Sequence, residues 1–241
     1  MKVVVFDLDE TLGYFVEFGV FWDCLKINNK KNIVMNEKIF HEVFELYPEF
    51  VRPNIIEILN YLKERKKTMC CHQLMIYTNN QGPPQWASQI LSYFELKIKS
   101  RLFDKIIAAF KINGKRVELS RTTHNKTFND LIRCTKIPLN TEIFFLDDVY
   151  HPEMCNKNVY YINIKPYVHS LPIDVMVARF INSKVGNAFI ERKNIYEFQE
   201  NMKKCMIKYK LEITEKDETE YSVDKILGKK IMNHLHDFFK K

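Results

Sequence analysis

The first strand-like segment of the chain places the strongest constraint on its fold. A continuous β-branched and aromatic run, Val3 to Phe6, ends abruptly at Asp7. A strand without polar alternation is typical of one that is buried on both faces, and such strands occur in parallel sheets covered by helices. The segment therefore predicts a parallel α/β sheet whose carboxyl edge carries Asp7.

Further predicted strands and helices alternate along the chain behind this segment. The predicted strands cover residues 74–77, 103–110, 142–146 and 159–164, and the predicted helices cover 53–67, 83–97 and 126–134. Strands that alternate with helices specify a parallel sheet with helices on its faces. We expect an α/β fold, a three-layer α/β/α sandwich with a Rossmann-like central parallel sheet and a minimal cap.

Two segments depart from this alternation. Residues 14–34 are rich in aromatic side chains but show a period of neither 2 nor 3.6, which predicts an irregular flap near the site. Beyond residue 182 the pattern changes to amphipathic helices, separated by the charged stretch 212–220. We therefore predict a core of residues 1–182 and a C-terminal α-helical extension of residues 183–241.

Composition limits the class of protein and its surroundings. The six cysteines are scattered without a CxxC pair, so neither a disulfide framework nor a structural zinc site is expected. No apolar run has the length of a signal peptide or a membrane span, and no membrane association is expected. Abundant lysine, asparagine and isoleucine are typical of AT-rich genomes, such as those of some large DNA viruses. We expect an intracellular, reducing compartment, cytoplasm or nucleus, in a host cell if the source is viral.

Polar side chains follow three of the predicted strands at the point where each strand ends. They are Asp7 and Asp9 after the first strand, Thr78 and Asn79 after the second, and Asp147 and Asp148 after the strand at 142–146. In open α/β sheets the functional crevice lies at the carboxyl ends of the strands. We therefore expect these side chains to share one site.

The residue types at these strand ends suit the cleavage of a phosphate ester. Two carboxylates two residues apart can divide the work, with Asp7 attacking phosphorus and Asp9 handling protons. A carboxylate and a phosphate repel each other, so the attack requires a divalent cation, and Asp147 and Asp148 offer oxygen ligands for Mg²⁺. The Thr78 hydroxyl and the backbone N–H groups that follow it can hold phosphate oxygens.

A positive side chain is also needed to stabilise the phosphoryl group. Lys126 lies at the start of a predicted helix shortly before the strand at 142–146 and is the first candidate. Lys136 and the basic residues of 111–121 are alternatives. The proposed chemistry leaves the histidines, His151 included, without a required role.

The order of these residues resembles the four motifs of the haloacid dehalogenase superfamily, over residues 3 to about 165. The matching positions are Asp7-x-Asp9-x-Thr11, Thr78, Lys126 and Asp147-Asp148. The resemblance implies that Asp7 attacks and ligates the metal, and that Asp9 protonates the leaving oxygen, activates water and offers its backbone carbonyl to Mg²⁺. It implies a magnesium site completed by the Asp147–Asp148 pair, and phosphate binding by Thr11, Thr78, Asn79 and Lys126. An aspartate at the Asp9 position implies a phosphatase or phosphomutase.

The substrate is less constrained than the reaction. The motif Asp7–Thr11, together with Arg52-Pro53 before a helix, resembles the corresponding sequences of the small CTD-phosphatase branch. This resemblance implies a phosphorylated protein substrate. The loop Asn79–Gly82 is instead similar to polynucleotide and histidinol phosphatases, so a polynucleotide end or a small metabolite is the alternative.

Charge and the retained acidic residues bear on the remaining alternatives. The net charge of +7 favours acidic partners, and residues 97–126 hold nine Lys or Arg against two acids. This stretch could dock nucleic acid or a phosphorylated partner, or form a solvated face. A non-catalytic phosphoprotein-binding scaffold is a third hypothesis, which the retention of Asp7, Asp9 and Lys126 disfavours.

Overall fold

A computed structural model describes residues 1–240 and contains one five-stranded parallel sheet with the strand order β3-β2-β1-β6-β7. Its strands are β1 (Lys2–Phe6), β2 (Gln73–Tyr77), β3 (Lys105–Ile107), β6 (Glu142–Asp147) and β7 (Val159–Asn163). A separate antiparallel hairpin joins β4 (Lys111–Ile112) and β5 (Lys115–Arg116). The predicted α/β class, with a parallel sheet flanked by helices and a C-terminal helix, is confirmed.

The chain divides into two compact units. The first unit contains Met1–Gly13, Arg52–Tyr167 and the segment that begins at Glu218, and the second contains Tyr14–Val51 and Val168–Asp217. The sheet belongs entirely to the first unit. This division differs from the predicted boundary at residue 182, because it depends on which helices pack together and not on where the pattern of the sequence changes.

The order of the strands places the end of β1 at the centre of the first unit. Val4 of β1 pairs with Leu74 on one side and with Phe144 on the other. The chain passes from β1 to β2 on one side and later returns to β6 on the opposite side. Such a switch point opens a crevice at the carboxyl ends of the strands, and Asp7 is the residue that follows β1 there.

Helices cover both faces of the sheet in the first unit. They are α3 (Ile55–Lys67), α4 (Trp86–Ile98), α5 (Phe128–Thr135) and α9 (Glu218–Lys240). Leu131 of α5 packs with Val5 and Phe145 in the core on one face. On the other face, the ring of Phe238 in α9 lies 5.7 Å from the ring of Phe144.

The C-terminal helix α9 is held closely against α3. A Cβ atom at Gly228 would lie 2.4 Å from the carbonyl oxygen of Pro53, so only glycine permits this approach. The sequence pattern predicts an apolar stripe of Leu227, Ile231, Leu235 and Phe238 on this helix; the last three are buried and Leu227 is half-buried. The helix is therefore part of the sheet-containing unit.

Several predicted boundaries shift by a few residues. The strand predicted over 103–110 is only three residues long, because the chain beyond Ile107 turns into the hairpin, where Val117 N–H bonds the Phe110 carbonyl. The helix α5 begins at Phe128, since the Thr127 side chain accepts from the Asp130 N–H and caps it. Lys126 consequently lies just before the helix.

The second unit is helical, and the prediction of an irregular segment at 14–34 is wrong. Its helices are α1 (Val16–Ile27), α2 (Glu37–Phe44), α6 (Ile173–Ile181), α7 (Lys184–Phe189) and α8 (Ile195–Ile207). Phe18 of α1 lies 4.5 Å from Phe44 of α2, and Phe21 lies 5.8 Å from Phe180 of α6, between ring centroids. Because α1 is buried on several sides, its sequence lacks the single apolar stripe that marks a surface helix.

The sequence pattern did not predict this second unit, because its two segments lie far apart in the chain. Neither segment alone carries a complete core, and Tyr47 illustrates their dependence: its hydroxyl donates to the Met176 carbonyl at 2.8 Å.

Among the described helices, none combines the length and apolarity needed to cross a bilayer.

Candidate active site

A pocket of about 300 Å³ lies at the carboxyl edge of the sheet in the first unit. Seven of the eight predicted site residues line it: Asp7, Asp9, Thr78, Asn79, Lys126, Asp147 and Asp148. The structure therefore brings together residues spread over more than half of the chain. The eighth, Thr11, does not line the pocket.

Asp7 and Lys126 form the buried centre of the pocket. The ammonium group of Lys126 donates to Asp7 Oδ1 and, at 2.6 Å, to Asp147 Oδ2. Burial raises the pKa of Asp7 to about 8, Lys126 opposes this rise, and the Asp147 carboxylate adds to it. Burial alone lowers the pKa of Lys126, but the two carboxylates reverse this and the net shift is upward. The alternative cation, Lys136, is exposed at the end of α5.

The turn after β1 sets the position of Asp9. Glu10 adopts the left-handed conformation with φ of 59°, and its N–H donates to the Gly13 carbonyl at 2.7 Å. The buried guanidinium group of Arg52 donates to the carbonyls of Glu10 and Thr11 at 2.6 and 2.7 Å. Arg52, which contributed to the family resemblance, thus holds the backbone of this turn.

Asp9 is oriented by Asn80, a residue that the sequence did not single out. Asn80 Nδ2 donates to Asp9 Oδ2 at 2.7 Å, while Asn80 Oδ1 accepts from the Gly82 N–H at 2.7 Å. The bond from Gly82 fixes the orientation of the Asn80 side-chain amide, because only the amide oxygen can accept from a backbone N–H. The amide nitrogen is thereby directed to Asp9. Burial raises the pKa of Asp9, and the bond from Asn80 opposes the rise. The only sequence signal was the place of Asn80 in the polar loop after Thr78.

Thr11, which was predicted to bind phosphate, directs its side chain to Asp148 and does not line the pocket. Its side chain is fully buried, and its hydroxyl donates to Asp148 Oδ1 at 3.0 Å and accepts from the Asp148 N–H at 3.1 Å. The Thr11 hydroxyl therefore acts as donor and as acceptor toward the same residue, Asp148. Thr11 supports Asp148 from behind the pocket.

The two aspartates after β6 have different surroundings. Asp147 is fully buried, with Oδ1 accepting from the Val149 N–H at 3.0 Å and Oδ2 close to Lys126. Asp148 is half-buried, and burial raises the pKa of its carboxyl. His151 Nε2 lies 3.5 Å from Asp147 Oδ2. No role was assigned to His151 from the sequence, where the only signal was its spacing of four residues from Asp147.

Thr78 and the segment behind it complete the wall of the pocket. The Thr78 N–H donates to the carbonyl of Ile107 at the end of β3, at 3.0 Å, and Thr78 Oγ1 accepts from the Asn80 N–H at the same distance. The hydroxyl proton of Thr78 is thereby left available to an acceptor in the pocket. The buried Arg121 donates to the Thr78 carbonyl at 3.2 Å and ties residues 121–126 to this wall.

The acidic residues fit a divalent cation. One carboxylate oxygen from each of Asp7, Asp147 and Asp148 lies within 4.8 Å of the other two. With Asp9 and Glu10, five carboxylates line the pocket together with the single ammonium group of Lys126, which leaves four negative charges in excess when all are ionised. Oxygen-only ligand sets suit hard cations such as Mg²⁺ and Ca²⁺. The donor set therefore suits a hard divalent cation.

An open parallel sheet with acidic and basic side chains converging at its carboxyl edge defines an α/β enzyme site. A family model described as acid phosphatase matches residues 1–168. The chain belongs to this acid phosphatase family, and the membership supports a phosphatase activity. Neither the curated proteins nor the solved structures gave a match.

Proposed function

We propose that the protein is a Mg²⁺-dependent phosphomonoester hydrolase of the haloacid dehalogenase superfamily that works through an aspartyl-phosphate intermediate. The observation that carries the proposal is the meeting of Asp7, Asp9, Lys126 and the Asp147–Asp148 pair in one pocket. An acid phosphatase family match over residues 1–168 supports the same reaction class.

The first displacement transfers the phosphoryl group to the protein. A carboxylate oxygen of Asp7 forms a bond to phosphorus while the bond to the leaving oxygen breaks, and Asp9 donates its proton to that oxygen. The Thr78 hydroxyl and the N–H of Asn79 hold the non-bridging oxygens, and Lys126 stabilises their charge. Burial raises the pKa of Asp9, which favours the protonated form that a proton donor needs.

The second displacement regenerates the protein. Asp9, now ionised, removes a proton from water, the water oxygen attacks phosphorus, and the bond to Asp7 breaks to release inorganic phosphate. Mg²⁺ would neutralise the negative charges that meet during both steps. We propose Asp148 as its more direct ligand, because Asp147 already engages Lys126 and the Val149 N–H.

The substrate class that we propose first is protein phosphoserine or phosphothreonine. The basis is the resemblance of the Asp7–Thr11 motif to the small CTD-phosphatase branch. The second candidate is a polynucleotide end or a small phosphorylated metabolite, favoured by the Asn79–Gly82 loop. In the structure this loop supplies Asn80, which contacts Asp9, so the loop sequence bears directly on the pocket.

Hydrolysis of a generic aryl phosphate, with Mg²⁺ or with EDTA, tests the reaction. Asp7→Asn should abolish turnover, whereas Asp9→Asn should allow transfer to Asp7 and then stall, which mass spectrometry would detect as a phosphorylated protein. Asp237→Asn, at an exposed position of α9, is the matched control and should retain full activity. Full Mg²⁺-dependent activity of Asp7→Asn would refute the mechanism, and inactivity of the wild type would favour the scaffold hypothesis.

A further inference from the structure

The basic stretch of residues 97–126 does not form one surface. Lys99 and Arg101 lie between the end of α4 and the start of β3, at the amino edge of the sheet. Lys111, Lys115 and Arg116 lie on the hairpin that follows the end of β3, at the carboxyl edge. Only the second group shares an edge with the pocket.

The hairpin, defined as residues 109–118, is joined to the pocket wall by short connections. The carbonyl of Ile107, at the end of β3, accepts from the N–H of Thr78 at 3.0 Å. Arg121 bridges the carbonyls of Thr78 and Ala108, at 3.2 and 2.9 Å. Lys111 is four residues beyond Ile107, so their Cα atoms are separated by at most about 14 Å.

Lys111 and Arg116 of the hairpin contact neighbouring groups, but among the described residues neither they nor Lys115 has an acidic partner. Arg116 donates to the carbonyls of Leu119 and Arg121 at 2.7 and 2.6 Å. The guanidinium group of Arg116 and the Nζ of Lys111 lie 5.3 and 5.1 Å from the centroid of the Phe110 ring. Lys115 is exposed at the tip. Across the part of the chain that the structure describes, no carboxylate pairs with these three cations.

We propose that the hairpin docks an acidic segment of a phosphorylated protein substrate, through Lys111 and Lys115, while the phosphorylated residue occupies the pocket. The inference rests on the proposed function and specifies the substrate. An extended peptide advances about 3.3 Å per residue, so the acidic residues lie roughly three to five positions from the phosphorylated residue.

The chemistry of the hairpin favours a peptide over a nucleic acid strand. Single-stranded nucleic acids bind where cations accompany free aromatic faces, but Lys111 and Arg116 lie against the Phe110 ring and His124 meets it edge-on, with centroids 5.3 Å apart. Carboxylates of a peptide need only exposed cations. An exposed ring close in sequence to the pocket is Tyr150, which follows β6 on the opposite side of β1 and stacks on Tyr161 with one face. Its other face would be the stacking surface for a base.

The test compares two phosphoserine peptides of equal length, one with glutamates three to five positions from the phosphoserine and one with glutamines there. The enzymes are the full-length wild type, Lys111→Gln/Lys115→Gln, and the control Lys99→Gln/Arg101→Gln, which removes the same charge at the other edge. Exposed ion pairs contribute roughly threefold each, so the wild type should prefer the acidic peptide by roughly tenfold in kcat/KM. The preference should decline with added salt.

The hairpin variant should lose this preference while keeping its kcat/KM for the glutamine peptide and for an aryl phosphate. Equal preference in the hairpin variant and the wild type, or equal loss in the control variant, would overturn the proposal. The proposal would also be overturned if the wild type hydrolysed a phosphorylated oligonucleotide efficiently, and if this turnover were reduced in Tyr150→Ala but unchanged in the hairpin variant. Failure of the proposed function is distinct, since the wild type would then hydrolyse none of these phosphoesters, the aryl phosphate included.

Discussion

Replacing Lys126 by methionine tests whether this residue is the electrostatic centre of the site. The ammonium group contacts two carboxylates, Asp7 and Asp147, and all three side chains are almost completely buried. Methionine keeps much of the aliphatic length but removes the charge. The variant therefore leaves two carboxylates without their cation in a region that already holds Asp9 and Asp148.

The expected loss of stability is large when no metal is added. Removing one partner from a buried ion pair costs about 3–5 kcal/mol, because the remaining charge is left desolvated. Since the pKa of Asp7 is already raised to about 8, protonation of Asp7 can relieve part of the repulsion, and we expect a value near the lower end, about 3 kcal/mol. The matched control Lys136→Met changes an exposed side chain and should cost less than about 0.5 kcal/mol.

Urea unfolding followed by tryptophan fluorescence measures this loss with a probe in the first unit. The chain has two tryptophans, Trp22 in the second unit and Trp86 in the first, so a Trp22→Phe background reports through Trp86. Mg²⁺ should recover part of the loss, and turnover should fall by about 10²–10³-fold. Equal stability of the Lys126 and Lys136 variants in EDTA would refute the electrostatic account.

Three further predictions follow from the same structure. The folded-state pKa of Asp7, about 8, exceeds its unfolded value, so the stability of the ligand-free wild type should decline relative to Asp7→Asn as the pH rises from about 4 to 8. Urea titrations at several pH values would measure this, and a constant difference would contradict it. Asn80→Ala should slow hydrolysis of alkyl phosphates by roughly tenfold or more, because Asn80 orients Asp9, which protonates the leaving oxygen. Aryl phosphates have better leaving groups and should be slowed much less. Equal losses of kcat/KM for the two kinds of substrate would argue against that role. Phe238→Ala should destabilise the first unit by about 3–5 kcal/mol, read through Trp86, and an unchanged midpoint would show that α9 does not support the sheet.

The sheet and most of the site residues could be predicted from local patterns. Runs such as Val3–Phe6 and Ile143–Leu146 are apolar without alternation, which only a sheet covered on both faces satisfies. In a parallel sheet all strands end at one edge, so the sequence predicted that Asp7, Thr78 and Asp147 share that edge. The strand order, with β1 between β2 and β6, then brings them close together. Their side-chain types then indicated phosphate chemistry.

Side-chain direction and partner choice could not be predicted in this way. Thr11 points behind the pocket to Asp148, and Asn80, not the neighbouring Asn79, contacts Asp9. In a turn, successive side chains follow no simple period, so the direction of each depends on local φ and ψ values such as that of Glu10. His151 was likewise identified only by its position beside Asp147.

The sequence by itself determined the parallel sheet and the edge that carries the site, because strand burial and strand ends are local properties, and the residue types at those ends indicated a phosphatase. Tertiary structure alone decided that residues 14–51 form a helical unit with 168–217, and that α9 packs on the sheet. It also decided that only the hairpin half of the basic stretch shares the edge of the pocket. These outcomes depend on contacts between distant segments, and the periodicity of one segment does not record which other segment will cover it.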